Sequence, residues 1–258
     1  MKYALVSLLI FFLCLSVDVS ARLPVLYRTK LQLLTYESPP YVYLTESQRG
    51  ADAQTDKKGL AIEVIDLIMQ RAGIPFNLTV VPVKRGLIMT AAQENTCIFP
   101  IERSQEKEVK FAWVSPVIIS RHAFFKKKDS ISMMRIKTLT DALPYTVGSY
   151  LGSGMGDYLD SLGFKVEYAS DNTANLKKLN ANRIELWATD VLSAEYISQV
   201  SNEPLGEAEL VFFTTLKSMA CNSALSEKIL ERLNLTLREM YRDGSIEEIH
   251  KNFAAKTN

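Results

Sequence analysis

The sequence predicts an α/β protein made of two doubly wound units, and three observations carry that prediction. From Leu31 onward the chain alternates strand, helix, strand, helix, strand within about seventy residues, which implies a parallel sheet with helices on both faces. After a charged break at Lys126–Ser130 the same alternation begins again. An apolar, extended stretch, Leu210–Cys221, then carries the chain back toward the first unit.

The first twenty-one residues, MKYALVSLLIFFLCLSVDVSA, combine an early lysine, an apolar run from Ala4 to Val17 and small residues at Val19-Ser20-Ala21, the pattern of a cleaved secretory signal. The run is short for a membrane span, and Phe12 and Leu13 are bulkier than a lipoprotein cleavage site usually has, which leaves a lipid anchor on Cys14 as the alternative. The expected product starts near Arg22, is soluble, and resides in the periplasm. Its roughly 240 residues suffice for one large or two modest domains with real cores. A formal net charge of +1 and the lack of a basic, aromatic-laced stripe argue against nucleic acid. With 2 histidines and no close cysteine spacing, no metal or other cofactor is expected. Cys97 and Cys221, which remain after processing, form either a disulfide or two buried thiols.

Each element has a local reason. Leu31–Tyr36 is an apolar run of strand length stopped by Ser38-Pro39-Pro40. Polar 47–58 is a surface excursion. Gly59 opens a helix whose Leu60, Val64, Leu67 and Ile68 share a face, and Gly73 closes it. Pro75–Val83 is β-branched and proline-bounded, Leu87–Gln93 is helical, and Cys97–Phe99 is a third strand. Beyond the break, Thr140 caps a short helix and Tyr145–Val147 is a strand. Gly148–Asp157 is a glycine-rich turn into a helix at Tyr158–Leu162, Phe164–Tyr168 a strand, and Asp171 caps the next helix. Ile184–Ala188 is a strand ending at Asp190, Ser226 caps a helix to Arg242, and Ser245 with Glu248 forms a capping box for the last one.

Candidate binding residues cluster at the carboxyl ends of these strands, where open α/β sheets hold ligands. In Pro100–Val117, Arg103 and Lys107 flank Ser104, so both cations and a hydroxyl at a helix start suit an anion; Glu102, Glu106 and Glu108 leave open a plain solvated face. Tyr36 and Tyr41 either wall a cleft or pack their own loop. Gly152, Ser153 and Gly154 offer backbone N–H groups but no nucleotide-binding signature. Asp190 either faces the cleft or caps the helix that follows it. No Ser-His-Asp or Cys-His arrangement is present, and Glu102 is the one candidate acid or base.

In order and spacing, several landmarks resemble the bacterial extracellular solute-binding proteins of family 3, the amino-acid-binding type. These are Ser38-Pro39-Pro40-Tyr41, Gly59-Leu60 with Ala72-Gly73, Ser104–Lys107 followed by Trp113-Val114-Ser115-Pro116, Val147-Gly148 with Gly152-Ser153, Arg183-Ile184-Glu185 with Asp190, and Arg242-Asp243-Gly244. The resemblance implies a periplasmic-binding-protein-like type II fold with two lobes joined by two hinge strands. It places 22–118 and 214–258 in the first lobe and 119–213 in an inserted second lobe. It also implies a monomer that closes on a small polar, anionic or zwitterionic solute and docks on a membrane permease or a sensor receptor. The alternative is a lyase or hydrolase on the same scaffold. It makes Cys97 and Cys221 neighbours able to bond. It assigns the anionic end of the solute to Arg103, Ser104, Lys107 and the Gly152–Gly154 amides, the cationic end to Asp190, and the pocket walls to Tyr36, Tyr41 and Arg85. Three positions depart from the family pattern: Lys107 stands where an arginine is expected, which removes a planar fork, and Pro100 and Glu102 where hydroxyls are expected.

Overall fold

The computed structural model describes residues 29–44, 57–128, 135–151 and 153–257. The expected leader, most of the 47–58 excursion, residues 129–134 at and after the end of the charged break, and Gly152 lie outside the described residues. In the first lobe, β1 (Leu31–Thr35) lies between β4 (Phe76–Val80) and β5 (Thr96–Glu102), parallel to both. A two-stranded ribbon of β2 (Tyr43–Leu44) and β3 (Lys57–Lys58) precedes α1 (Leu60–Ala72), which ends as expected on Gly73 in the left-handed conformation. Helix α2 (Val83–Ala92) connects β4 to β5, and the one-turn α3 (Gln105–Glu108) follows β5.

Two strands of fifteen residues then dominate, β6 (Phe111–Phe125) and β10 (Ala208–Asn222). They run antiparallel from Asn222 opposite Phe111 to Ala208 opposite Phe125. Between them in sequence lie α4 (Leu139–Ala142), β7 (Thr146–Tyr150), α5 (Gly154–Ser161), β8 (Lys165–Ala169), α6 (Asn172–Asn180), β9 (Leu186–Asp190) and α7 (Val191–Ser201). Helices α8 (Glu227–Arg242) and α9 (Ser245–Thr257) return to the first lobe. The strand order is β4-β1-β5-β10-β6-β9-β7-β8, so one sheet runs through both lobes. Its partners change at the middle: the Lys217–Cys221 end of β10 pairs with β5, and the His122–Phe125 end of β6 pairs with β9. Register shifts at Val211/Phe213 and Lys217/Met219 mark bulges, which bend and twist a strand and re-aim its side chains.

Each lobe has its own core. Leu33, Ile65, Phe99, Val117, Leu233 and Leu237 belong to the first, and Phe124, Val147, Leu159 and Leu186, with Trp187 and Leu176 on the other face of the sheet, to the second. The apolar face of α8 is buried at Ile229, Leu233, Leu237 and Met240.

Ser226 sits at the N-terminus of α8 but makes no side-chain cap, and three further local expectations change. Thr138, not Thr140, caps α4, because Asp141 three residues on closes a reciprocal capping box with it. Helix α5 begins at Gly154 rather than at Tyr158, since the Ser153 hydroxyl accepts the Gly156 N–H and starts the helix four residues early. Ser245 and Glu248 form no capping box: Asp243 accepts the backbone N–H and hydroxyl of Ser245 at 2.9 and 2.5 Å, and the Glu248 N–H goes to the Gly244 carbonyl.

Cys97 and Cys221 face each other across β5 and β10 and are joined as a disulfide, with Cα atoms 3.9 Å apart. The bond closes a sequence separation of 124 residues that contains the whole second lobe. In the chain-entropy picture this constraint contributes about 5 kcal/mol by restricting the unfolded chain. Thiol titration of the denatured, unreduced chain lacking its leader should therefore find no free thiol, and reduction should lower the denaturant midpoint.

Candidate functional site

The site begins with the Ser38–Val42 turn. The Ser38 N–H donates to the Val42 carbonyl at 2.8 Å, and Tyr41 N–H to the Ser38 carbonyl at 2.9 Å. The N-terminus of α1 then holds the turn from below, with Leu60 N–H on the Pro40 carbonyl and Ala61 N–H on that of Tyr41. Gly59 makes this approach possible: its φ is 130°, and a Cβ there would lie 2.3 Å from the Tyr41 carbonyl oxygen. Tyr41 is thereby fixed with its side chain buried, its hydroxyl donating to Asp190 Oδ1 at 2.6 Å.

Asp190, the last residue of β9, serves two purposes at once. It caps α7, accepting from the Ser193 backbone N–H at 2.9 Å and the Ser193 hydroxyl at 3.0 Å. It also accepts from Tyr41 of the first lobe and, on Oδ2, from the hydroxyl of Ser120 on β6. The cap and the cleft readings of this residue are thus compatible. Burial, followed by the Asp190 charge, pushes the Tyr41 phenol well above its usual range, so it stays a donor.

Around this bridge lies a connected set of polar groups. Tyr36 donates to the Pro100 carbonyl at 2.8 Å, and burial together with the Glu102 charge raises its pKa. The Lys217 ammonium lies 4.8 Å from the centre of the Tyr41 ring and 3.5 Å from Glu102 Oε1. His122 is buried on β6, opposite Asp190 in register, with Nε2 3.5 Å from the Thr215 hydroxyl. Its imidazole is depressed first by burial, with Asp190 opposing and Lys217 adding to the shift. The Tyr150 phenol is raised by burial and then by Glu102, against a hydrogen bond to Ser153. The charges of Glu102, Asp190 and Lys217 therefore act on one shared set of buried groups.

Of the candidates from sequence, Tyr36, Tyr41, Glu102, Ser153 and Asp190 meet here. Arg103 does not: its fork grips Glu108, with Nε 2.7 Å from Oε2, while its guanidinium lies 5.7 Å from the centre of the Trp113 ring. Lys107 donates to the Ser104 hydroxyl at 3.2 Å, and Ser104, although it sits at the α3 N-cap, makes no side-chain cap. Arg85 is exposed on α2, and Gly154 is exposed at the start of α5. Ser120, His122, Thr215 and Lys217 were not among the sequence candidates. Their signal was two polar interruptions of largely apolar strands, Ser120-Arg121-His122 and Thr214–Ser218, in which Ser120/His122 and Thr215/Lys217 fall at the two-residue spacing of one sheet face. No group of three or more His, Cys, Asp or Glu among the described residues could hold a metal.

Two α/β lobes, a pair of long strands joining them and a buried polar cluster where they meet define a two-lobed solute-binding protein of the type II periplasmic-binding-protein fold. The model of the bacterial extracellular solute-binding proteins, family 3, matches residues 33–256, and the chain belongs to that family. It is 24% identical over 231 residues to the L-cystine-binding protein TcyA of Bacillus subtilis (strain 168), covering 85% of this chain and 78% of that one. An ancestral arginine-binding protein bound to arginine superposes with a TM-score of 0.66 at 20% identity, over 88% of this chain and 98% of the other. A histidine kinase sensor domain similar to periplasmic binding proteins superposes with a TM-score of 0.67 at 16% identity, over 88% and 96%.

Two measurements probe the cluster. Tyr41→Phe removes a hydrogen bond to a buried carboxylate and should lower the unfolding free energy by about 1.5–3 kcal/mol in urea titrations. His122 holds a proton less readily folded than unfolded, where its value is 6.5, so below that pH the unfolded chain binds more protons. Stability should be intact above 6.5 and fall on acidification. His250, shifted in the same direction by burial, adds to the slope, and His122→Asn should remove only part of it.

Proposed function

We propose that the protein is a secreted, monomeric binding protein that closes its two lobes on a small amino-acid-like solute, zwitterionic or anionic. The observation that carries this reading is the bridge at Asp190, where a carboxylate of the second lobe meets Tyr41 of the first and Ser120 of a joining strand. A solute ammonium is a competitor for these hydrogen bonds: it would take the place of the Tyr41 proton on Asp190 and link the lobes through itself. Such a ligand favours closure only because it touches both lobes, since a shift of population requires unequal affinity for the two states.

In this reading the lobes move about boundaries near 118/119 and 213/214, within the stretch where β6 and β10 exchange partners. The leader at 1–21 supports export to the periplasm. A membrane permease or a sensor receptor is the expected partner of the closed form. Similar folds occur in an amino acid ABC transporter substrate-binding protein bound to L-arginine and in a histidine kinase sensor domain.

Thermal-shift screening of the leaderless protein against L-amino acids, including L-arginine, L-glutamine and L-cystine, and against polyamines and small carboxylates tests this. At least one amino-acid-like solute should raise the melting temperature, and Asp190→Ala should abolish the rise. A panel with no shift, or chemical turnover of a stabilising solute, would sink the reading.

A further inference from the structure

The sequence points to Arg103 and Lys107 as the groups that meet the solute's anionic end, yet the fold gives both other partners. Arg103 forks onto Glu108, and Lys107 reaches back to Ser104. Another cation lies on β10: Lys217, whose side chain is only 13% exposed and whose ammonium rests over the Tyr41 ring. Its contact with Glu102 is long, at 3.5 Å, and the Glu102 side chain is half exposed, so this ion pair is weakly held and open to exchange.

A second, independent observation lies on β6. His122 is 8% exposed, and its Nδ1 is buried without a hydrogen-bond partner. A buried polar atom in this state costs free energy unless an outside group completes it. The Nε2 contact with the Thr215 hydroxyl suits either tautomer; in the one where the hydroxyl donates to Nε2, the neutral ring carries its proton on Nδ1, a donor open to an acceptor. Lys217 is close enough for its charge to act on this ring.

We propose that Lys217 and His122, carried on the two joining strands, form the subsite that takes a carboxylate of the bound solute. This deepens the function proposed above and rests on it. A carboxylate offers only acceptors, which matches the ammonium of Lys217 and the Nδ1–H of His122. On entry it takes Lys217 from Glu102, whose side chain is free to turn toward water. The ammonium of the same solute, beside Asp190, offsets the repulsion between the two carboxylates. Because both donors sit on the joining strands, this end of the solute is read at the hinge rather than at the lips of the cleft.

The test uses the leaderless protein carrying His250→Asn, so that a single imidazole is observed, with acetate, glycine and methylammonium as probes. Acetate and glycine should shift the His122 15N resonances and raise its pKa, because an adjacent anion favours the imidazolium; methylammonium should do neither. Lys217→Met should weaken the acetate response by about tenfold or more, as expected for a lost charge-assisted hydrogen bond. Lys217→Arg, which keeps the charge should the methionine variant fold poorly, should retain it, as should Arg103→Met and Lys107→Met. A silent His122 with both carboxylates, or a response that survives Lys217→Met and disappears with Arg103→Met, would overturn the proposal. If acetate moves His122 while the thermal-shift panel yields no solute, the amino-acid reading fails and the carboxylate subsite stands.

Discussion

The antiparallel ladder between β6 and β10 is the constraint on which the rest of the molecule depends. Each strand is fifteen residues long, and each has one end in either lobe, so a single pairing both separates the two cores and joins them. Backbone hydrogen bonds hold the ladder whatever its side chains are, which leaves the side chains near its middle available for another task. There the polar residues Ser120, His122, Thr215 and Lys217 interrupt the apolar pattern. The disulfide acts at the first-lobe end, tying β10 to β5, so the departing and returning segments of the inserted lobe share one anchored frame.

Within that frame Asp190 is the most heavily used carboxylate. It starts α7 and accepts hydrogen bonds from the other lobe and from a joining strand. Burying a carboxylate is tolerable only when its lone pairs are filled, and here four donors fill them. Any solute group that binds Asp190 must therefore match interactions the protein already makes. Its affinity is a difference between two well-satisfied states, a condition that rewards solutes with a second attachment point. In the proposed subsite, Lys217 and His122 on the joining strands provide such a point.

Much of the fold was legible because its signals are local. The α1 face, the Gly73 terminus, the strand runs and the Asp171 cap each follow from periodicity or from one residue's conformational preference. The changes at Thr138, Gly154 and Asp243 are also local, arising where two nearby residues could begin a helix and the sequence alone does not rank them. The site was legible only in part. Tyr41 and Asp190 stand out as residues just beyond strands, but for Arg103 the sequence offered both an anion and three nearby glutamates, and only the folded geometry selects Glu108 among them.

By itself the sequence determined the α/β alternation and the doubling of the unit, and it marked Tyr41 and Asp190 as candidates just beyond strands, since periodicity, glycine conformation and chain order are properties of neighbouring residues. Tertiary structure alone decided three things: that Cys97 and Cys221 are bonded, that Tyr41 reaches Asp190 across the lobes, and that Lys217 rather than Arg103 lies beside that bridge. The disulfide closes a separation of 124 residues and the Tyr41–Asp190 bridge one of 149. Such distances are closed only by the register of the β5, β10, β6 and β9 ladder, and register is a property of the folded sheet.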